Sequence, residues 1–180
     1  MIRKATEADL DAVIKIYDEL HDAEESGEIF VGWIRTIYPT RTTAEESLKR
    51  GDLFVLEDGT VLGAGIINQN QVDSYEKGAW EYKTEDNDVC VLHTLVISPQ
   101  AGGKGYGKQF VKYYEDYALK LGCHELRLDT NERNDRAREM YRKLGYKEIG
   151  IVPTVFNGIP NVNLVLLEKR IITPSLCMLI

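Results

Sequence analysis

The sequence predicts a mixed α/β domain, and three observations carry the prediction. At 180 residues the chain is long enough for one domain with a substantial core. Apolar residues recur with strand and helix periods in the order β, α, α, β, β, β, α, β, α, β, β. No internal repeat or low-complexity linker interrupts the series.

Each element follows from local chemistry. "IRKAT" reads as an opening strand, and Thr6 caps a helix whose apolar positions Leu10, Val13, Ile14, Tyr17 and Leu20 keep a helical period. "FVGWIRTIY" predicts a second helical piece ended by Pro39. "TTAEESLKRG" predicts a short helix with Thr43 and Glu46 as a capping box and Gly51 as its stop. "DLFVLEDGTVLGAGIINQ" is a hairpin about the turn pair Asp58-Gly59. "VCVLHTLVI" is almost continuously apolar, as a central strand buried on both faces should be. After a glycine-rich turn, "YGKQFVKYYEDYALKLG" is a helix closing at Gly122. "ELRLDT" is a strand, "NDRAREMYRKLG" a helix with Gly145 as its cap, and "YKEIGIVP" and "VNLVLLEK" are the last strands.

Composition removes several function classes. A net charge of −7 argues against a nucleic-acid partner, which needs clustered Lys and Arg, and tolerates a cationic substrate. The acidic stretches "HDAEESGE" and "EYKTEDNDV" read as solvated surface. Cys90, Cys123 and Cys177 are odd in number and widely spaced, so neither a disulfide framework nor a metal site is indicated. The start lacks an apolar core of signal-peptide length and no run approaches a membrane span, which predicts a cytoplasmic protein without a membrane partner. The apolar tail "IITPSLCMLI", with Pro174, reads as a packed arm or a homodimer contact.

The run "SPQAGGKGYGKQF" suggests a phosphate cradle, because glycines let backbone N–H groups converge at a helix start. Gly102 to Lys108 fits G-x-x-x-x-G-K, yet Gln109 stands where a nucleotidase needs a magnesium-holding Ser or Thr. Gly103, Gly105 and Gly107 do not make the dinucleotide G-x-G-x-x-G. A turn gripping the pyrophosphate of an acyl-coenzyme A needs neither feature. An unliganded glycine loop is the remaining alternative.

The chain resembles the GNAT superfamily of acyl-CoA dependent N-acetyltransferases in two segments, "LHTLVISPQAGGKGYGKQF" and "NDRAREMYRKLGY", the second matching the family's N-x-x-A, Tyr, then LG plus an aromatic. The resemblance implies an α+β fold with a mixed, mostly antiparallel sheet of six to seven strands flanked by about four helices. It covers residues 1–169, with 170–180 as a C-terminal arm. It implies acetyl-CoA as acyl-donor substrate, held by the backbone of Leu95, Val96 and Ile97, by Gly102, Gly103, Lys104, Gly105, Tyr106, Gly107 and Lys108, and by Asn134. With Gly105 and Gly107 in the glycine places, the family's usual Gln or Arg falls on Gly102, and Lys104 or Lys108 substitutes electrostatically.

Acetyl transfer to an amine needs a held thioester, oxyanion donors, a base and an acid for the thiolate. The resemblance makes Tyr141 the acid; the helix face it shares with Met140 and Leu144 equally suits a core aromatic. Asn134 is a cofactor contact by the same resemblance and a helix cap by its residue type. His93 resembles a proton-path histidine of the arylalkylamine acetyltransferases, and is otherwise a hydrogen-bonded core residue. Glu81 is the alternative base or a surface residue. Trp33, Tyr38, Arg41 and Tyr75 are candidates for the acceptor wall, and "FNGIPNVN" is a turn or part of that groove. The expected activity is N-acetylation of a primary amine, foremost of a small molecule. A peptide N-terminus and a non-catalytic acyl-CoA sensor are the alternatives, and a metal-dependent nucleotidase is a third whose magnesium carboxylate would be Asp129.

Overall fold

The computed structural model describes residues 1–172. The chain runs β1 (Ile2–Lys4), α1 (Leu10–Glu25), α2 (Arg41–Arg50), β2 (Leu53–Asp58), β3 (Thr60–Asn68), β4 (Val89–Ile97), α3 (Tyr106–Leu121), β5 (Glu125–Asn131), α4 (Asp135–Lys143), β6 (Lys147–Phe156) and β7 (Ile159–Arg170). The seven strands form one sheet in the order β1-β2-β3-β4-β5-β7-β6. Every neighbouring pair is antiparallel except β4 and β5, the pair whose ends α3 connects.

Alternation along the strands builds two layers around the sheet. Leu53 and Val55 face Val13, Ile16 and Tyr17 of α1. Phe54 and Leu56 face the other way, into a core shared with Phe110, Val111 and Tyr114 of α3 and Tyr141 of α4. Gly65 in β3 permits that second packing, since a Cβ there would stand 2.7 Å from the Phe110 ring and 3.3 Å from Leu92. Gly65→Val is expected to lower stability by roughly 1–3 kcal/mol, read as a lower denaturation midpoint.

Three sequence expectations change. "FVGWIRTIY" is not a helix but a turn closed by the Ile34–Tyr38 bridge. Gly32 takes φ +82 and the Val31 and Gly32 N–H groups bond the Glu24 carboxylate, so the chain turns where a helix would begin. The capping box of α2 is Thr40 with Thr43, not Thr43 with Glu46, since the helix starts at Arg41, two residues after Pro39. The last hairpin is longer than read, with Asn157 and Gly158 both at positive φ in its two-residue turn. β7 continues to Arg170, and the Ile171 N–H bonds the His124 carbonyl at 2.9 Å. The remainder of the expected arm, with Pro174 and Cys177, lies outside the described residues. Among the described residues no helix is long and apolar enough to cross a membrane.

Candidate active site

The site begins with an irregularity in the central strand. Ala64 pairs with Val96 and Ile66 with His93, so Thr94 and Leu95 together stand opposite Gly65. This is a β-bulge, and Thr94 takes φ +50, a region a β-branched residue enters only when its surroundings impose it. The Tyr38 hydroxyl bonds the Thr94 hydroxyl and holds the bulge from above. On its other edge β4 pairs with β5 only from Val89↔Glu125 to Leu92↔Leu128, although the strands run on to Ile97 and Asn131. Past Leu92 and Leu128 the two strands therefore fork, leaving backbone groups unclaimed on their facing edges.

A cavity of about 590 Å³ opens at this fork. Its walls are His93, Thr94, Leu95, Val96 and Ile97 of β4 and Asp129, Thr130 and Asn131 of β5, closed by Trp33 and Tyr38 from the turn after α1, by Glu46 and Arg50 of α2, by Asn134 and Tyr141 of α4, and by the hairpin end at Phe156 and Asn157. The turn after α1 is laid close against β5: a Cβ on Gly32 would stand 2.2 Å from the Asn131 amide nitrogen.

Trp33, Tyr38, His93, Leu95, Val96, Ile97, Asn134 and Tyr141, all singled out in the sequence, line this cavity. Tyr141 is only 6% exposed, and burial, with the charge of Asp129, pushes its phenol well above the usual range, so it stays protonated at any physiological pH. Asn134 both lines the cavity and caps α4, its side-chain oxygen accepting the Ala137 N–H at 3.2 Å. The His93 Nε2 lies 3.1 Å from the Asn68 side-chain oxygen and 3.0 Å from the Asn70 carbonyl. Both partners accept, so Nε2 carries the proton and Nδ1 is bare. The Asn68 amide is oriented by Asp52, to which its nitrogen donates at 2.8 Å. Burial lowers the His93 pKa to about 4, against the opposing pull of the Asn70 carbonyl.

Three candidates lie elsewhere. Glu81 is exposed and paired with Lys147 outside the cavity; its backbone N–H is held by Glu168. Arg41 is exposed at the start of α2, tied to Asp11 at 2.9 Å and to Glu45. Tyr75 is a buried core residue behind the wall, with its hydroxyl donating to Asp129 Oδ2 at 2.9 Å. Sequence reasoning passed over Thr94, Asn68 and the cavity role of Asp129. The polar run "NQNQ", which starts at the last residue of β3, is the sequence signal for Asn68.

The glycine turn follows the cavity wall directly in sequence. Gly103 and Gly105 both sit at φ +80, and a Cβ at either would meet nothing within 4 Å, so the turn presents bare backbone to open space. Gly105 caps α3, whose first N–H groups at Tyr106, Gly107 and Lys108 have no partners inside the helix. The Tyr106 hydroxyl is anchored on Asp58 at 2.6 Å, and Gln100 reaches Glu19. Lys104 and Lys108 are exposed beside the turn. The Arg136 guanidinium lies 3.6 Å from where a Cβ on Gly102 would stand, a cation missed in the sequence.

Comparison with known proteins agrees with this geometry. The thialysine N-epsilon-acetyltransferase of Bos taurus is 25% identical over 156 residues, covering 83% of this chain and 85% of that protein. The fold is shared with a GNAT family acetyltransferase of Streptococcus agalactiae, at a TM-score of 0.76 and 23% identity over 96% of each chain. It is shared also with an acetyltransferase of Salmonella typhimurium solved with its cofactor acetyl-CoA, at a TM-score of 0.66 and 18% identity over 96% of this chain and 94% of that one. Residues 12–146, from α1 through the bulged strand, the glycine turn and α4, match the acetyltransferase (GNAT) family, and the chain belongs to it.

Proposed function

We propose that the protein transfers an acetyl group from acetyl-CoA to a primary amine of a small molecule, by direct attack within a ternary complex. The observation that carries this reading is the fork between β4 and β5, opened by the bulge at Thr94 and followed at once by the glycine turn. The residues suit the acyl donor. Backbone donors at Gly103 to Lys108 and the charges of Lys104, Lys108 and Arg136 would receive a pyrophosphate. The unpaired edge of Leu95, Val96 and Ile97 would receive the pantetheine arm and supply N–H groups toward the thioester carbonyl. Asn134 contributes from the start of α4.

Within the cavity Tyr141 is the acid. Its phenol stays protonated and can give that proton to the departing thiolate. His93 belongs to the proton path: with Nε2–H committed to Asn68 and Asn70, its bare Nδ1 can accept a proton and, with a pKa near 4, does not retain it. In this reading Trp33 and Tyr38 form the acceptor wall, Tyr75 acts through Asp129, and Glu81 and Arg41, ion-paired on the surface, are given no role. The turn after α1 and the Asn157 hairpin, which both wall the cavity, favour a small amine over an extended peptide in this reading. We place the reaction in the cytoplasm, where the buried free thiols Cys90 and Cys123 stay reduced.

A product screen tests the acceptor class. Mass spectrometry after incubation with acetyl-CoA and amines, amino acids, polyamines or peptides should show acetylated small amines; acetylation confined to peptides would overturn the small-molecule assignment. His93→Gln is expected to lower kcat at least about 10-fold with acetyl-CoA affinity unchanged. Wild-type kcat with a lower melting temperature would make His93 structural.

A further inference from the structure

Asp129 stands at the apex of the fork. It directly follows Leu128, the last β5 residue paired with β4, and it lines the cavity with Tyr141 and His93. Among the described residues no cation pairs with it; its one hydrogen bond is the 2.9 Å donation from the Tyr75 hydroxyl to Oδ2. The ionisable groups around it are Tyr75 behind, Tyr38 above, Tyr141 on α4 and His93 on β4, with Glu46 and Arg50 on the α2 wall and Arg127 two residues earlier on its own strand. Arg50 is engaged by Asp52 at 2.9 Å, and the Arg127 guanidinium stacks on Trp80 at 4.1 Å, so neither neutralises Asp129.

An alkylamine reaches the enzyme as an ammonium ion and must lose a proton before it can attack. An unpaired carboxylate in the receiving cavity attracts that cation and is also a base. We propose that Asp129 binds the ammonium group of the acceptor and takes its first proton, so that the substrate is a cationic amine. This rests on the acetyl-transfer reading above. Burial lifts the Asp129 pKa to about 6, with the Tyr75 hydrogen bond working against the rise, while Tyr141 is pushed far upward; the cavity thus separates a base from an acid.

The protons balance. Asp129 carboxylate and R–NH3⁺ give the neutral acid and R–NH2. The amine lone pair forms the N–C bond at the thioester carbonyl, and collapse of the oxyanion breaks C–S. Tyr141 protonates the thiolate and is restored by the second proton from the substrate nitrogen, relayed through His93 Nδ1. Asp129 releases the first proton to solvent, the single proton set free per turnover.

The test is kcat/KM against pH for wild type, Asp129→Asn and Tyr75→Phe, with a cationic alkylamine and with methoxyamine, which is neutral at pH 7.5. Wild type should show an acid limb near pH 6 with the alkylamine. Asp129→Asn should remove that limb and lower kcat/KM at least about 100-fold for the alkylamine, but only a few-fold for methoxyamine, with acetyl-CoA affinity kept. Tyr75→Phe withdraws the bond that favours the ionised carboxylate and should move the limb to higher pH; it decides the matter alone if Asp129→Asn does not fold. Equal losses with both acceptors, or a limb unmoved in both variants while wild type is active, overturn the Asp129 assignment and leave the acetyl-transfer reading standing. A wild type inactive on every amine overturns both.

Discussion

Tyr141→Phe is expected to lower kcat for acetyl transfer by about 10²-fold or more while leaving acetyl-CoA affinity within a few-fold of wild type. The ring is retained, so its packing against Tyr146, with centroids 5.8 Å apart, survives. What disappears is the Tyr141 phenol proton, which burial keeps in place beside the fork. Pre-steady-state measurement of thiol formation, together with calorimetric affinity, separates the two effects. A variant with wild-type single-turnover rate would make Tyr141 a packing residue.

Gly105 should give the second large effect. At φ +80 a valine is strained, at a cost of roughly 1–3 kcal/mol, whereas asparagine tolerates this region. Because a Cβ at this position meets no protein atom within 4 Å, a loss of ligand affinity in the asparagine variant, which keeps the turn unstrained, reflects obstruction of the approaching ligand. Gly105→Val and Gly105→Asn are both expected to weaken acetyl-CoA binding by about 10-fold or more, with only the valine variant markedly lowered in melting temperature. Unchanged affinity in the asparagine variant would remove the turn from the cofactor site. Magnesium-dependent binding of ATP would restore the nucleotidase reading that Gln109 argues against.

Much of the scaffold was legible because local chemistry and tertiary context agree. β4 is the apolar run "VCVLHTLVI" itself, α3 starts and stops at its glycines, and the N-x-x-A of α4 brings Asn134 and Tyr141 to the same cavity. The illegible parts are those where tertiary structure overrides local preference. Nothing in "LHTLV" announces a positive φ at a β-branched Thr94, or that Thr94 and Leu95 stand together opposite Gly65 of β3. "FVGWIRTIY" carries apolar residues at helical spacing, yet Glu24 captures its first N–H groups and Gly32 has to fit against Asn131. Glu81 and Arg41 had the right residue types but not the right place, and each found an opposite charge on the surface. Asp129 reads from the sequence only as the carboxylate of the nucleotidase alternative, and its place in the cavity follows from the fork between β4 and β5.

The most direct test of the account is release of free coenzyme A thiol from acetyl-CoA by the purified wild-type chain, followed with and without a cationic primary amine and paired with mass analysis of the amine. Thiol release is expected to depend on the amine, with one acetyl group on the product per thiol formed, and to be nearly abolished in Tyr141→Phe. Tight binding of acetyl-CoA with no amine-dependent thiol release across amines, amino acids, polyamines and peptides would contradict it and make the protein a sensor of acyl-CoA.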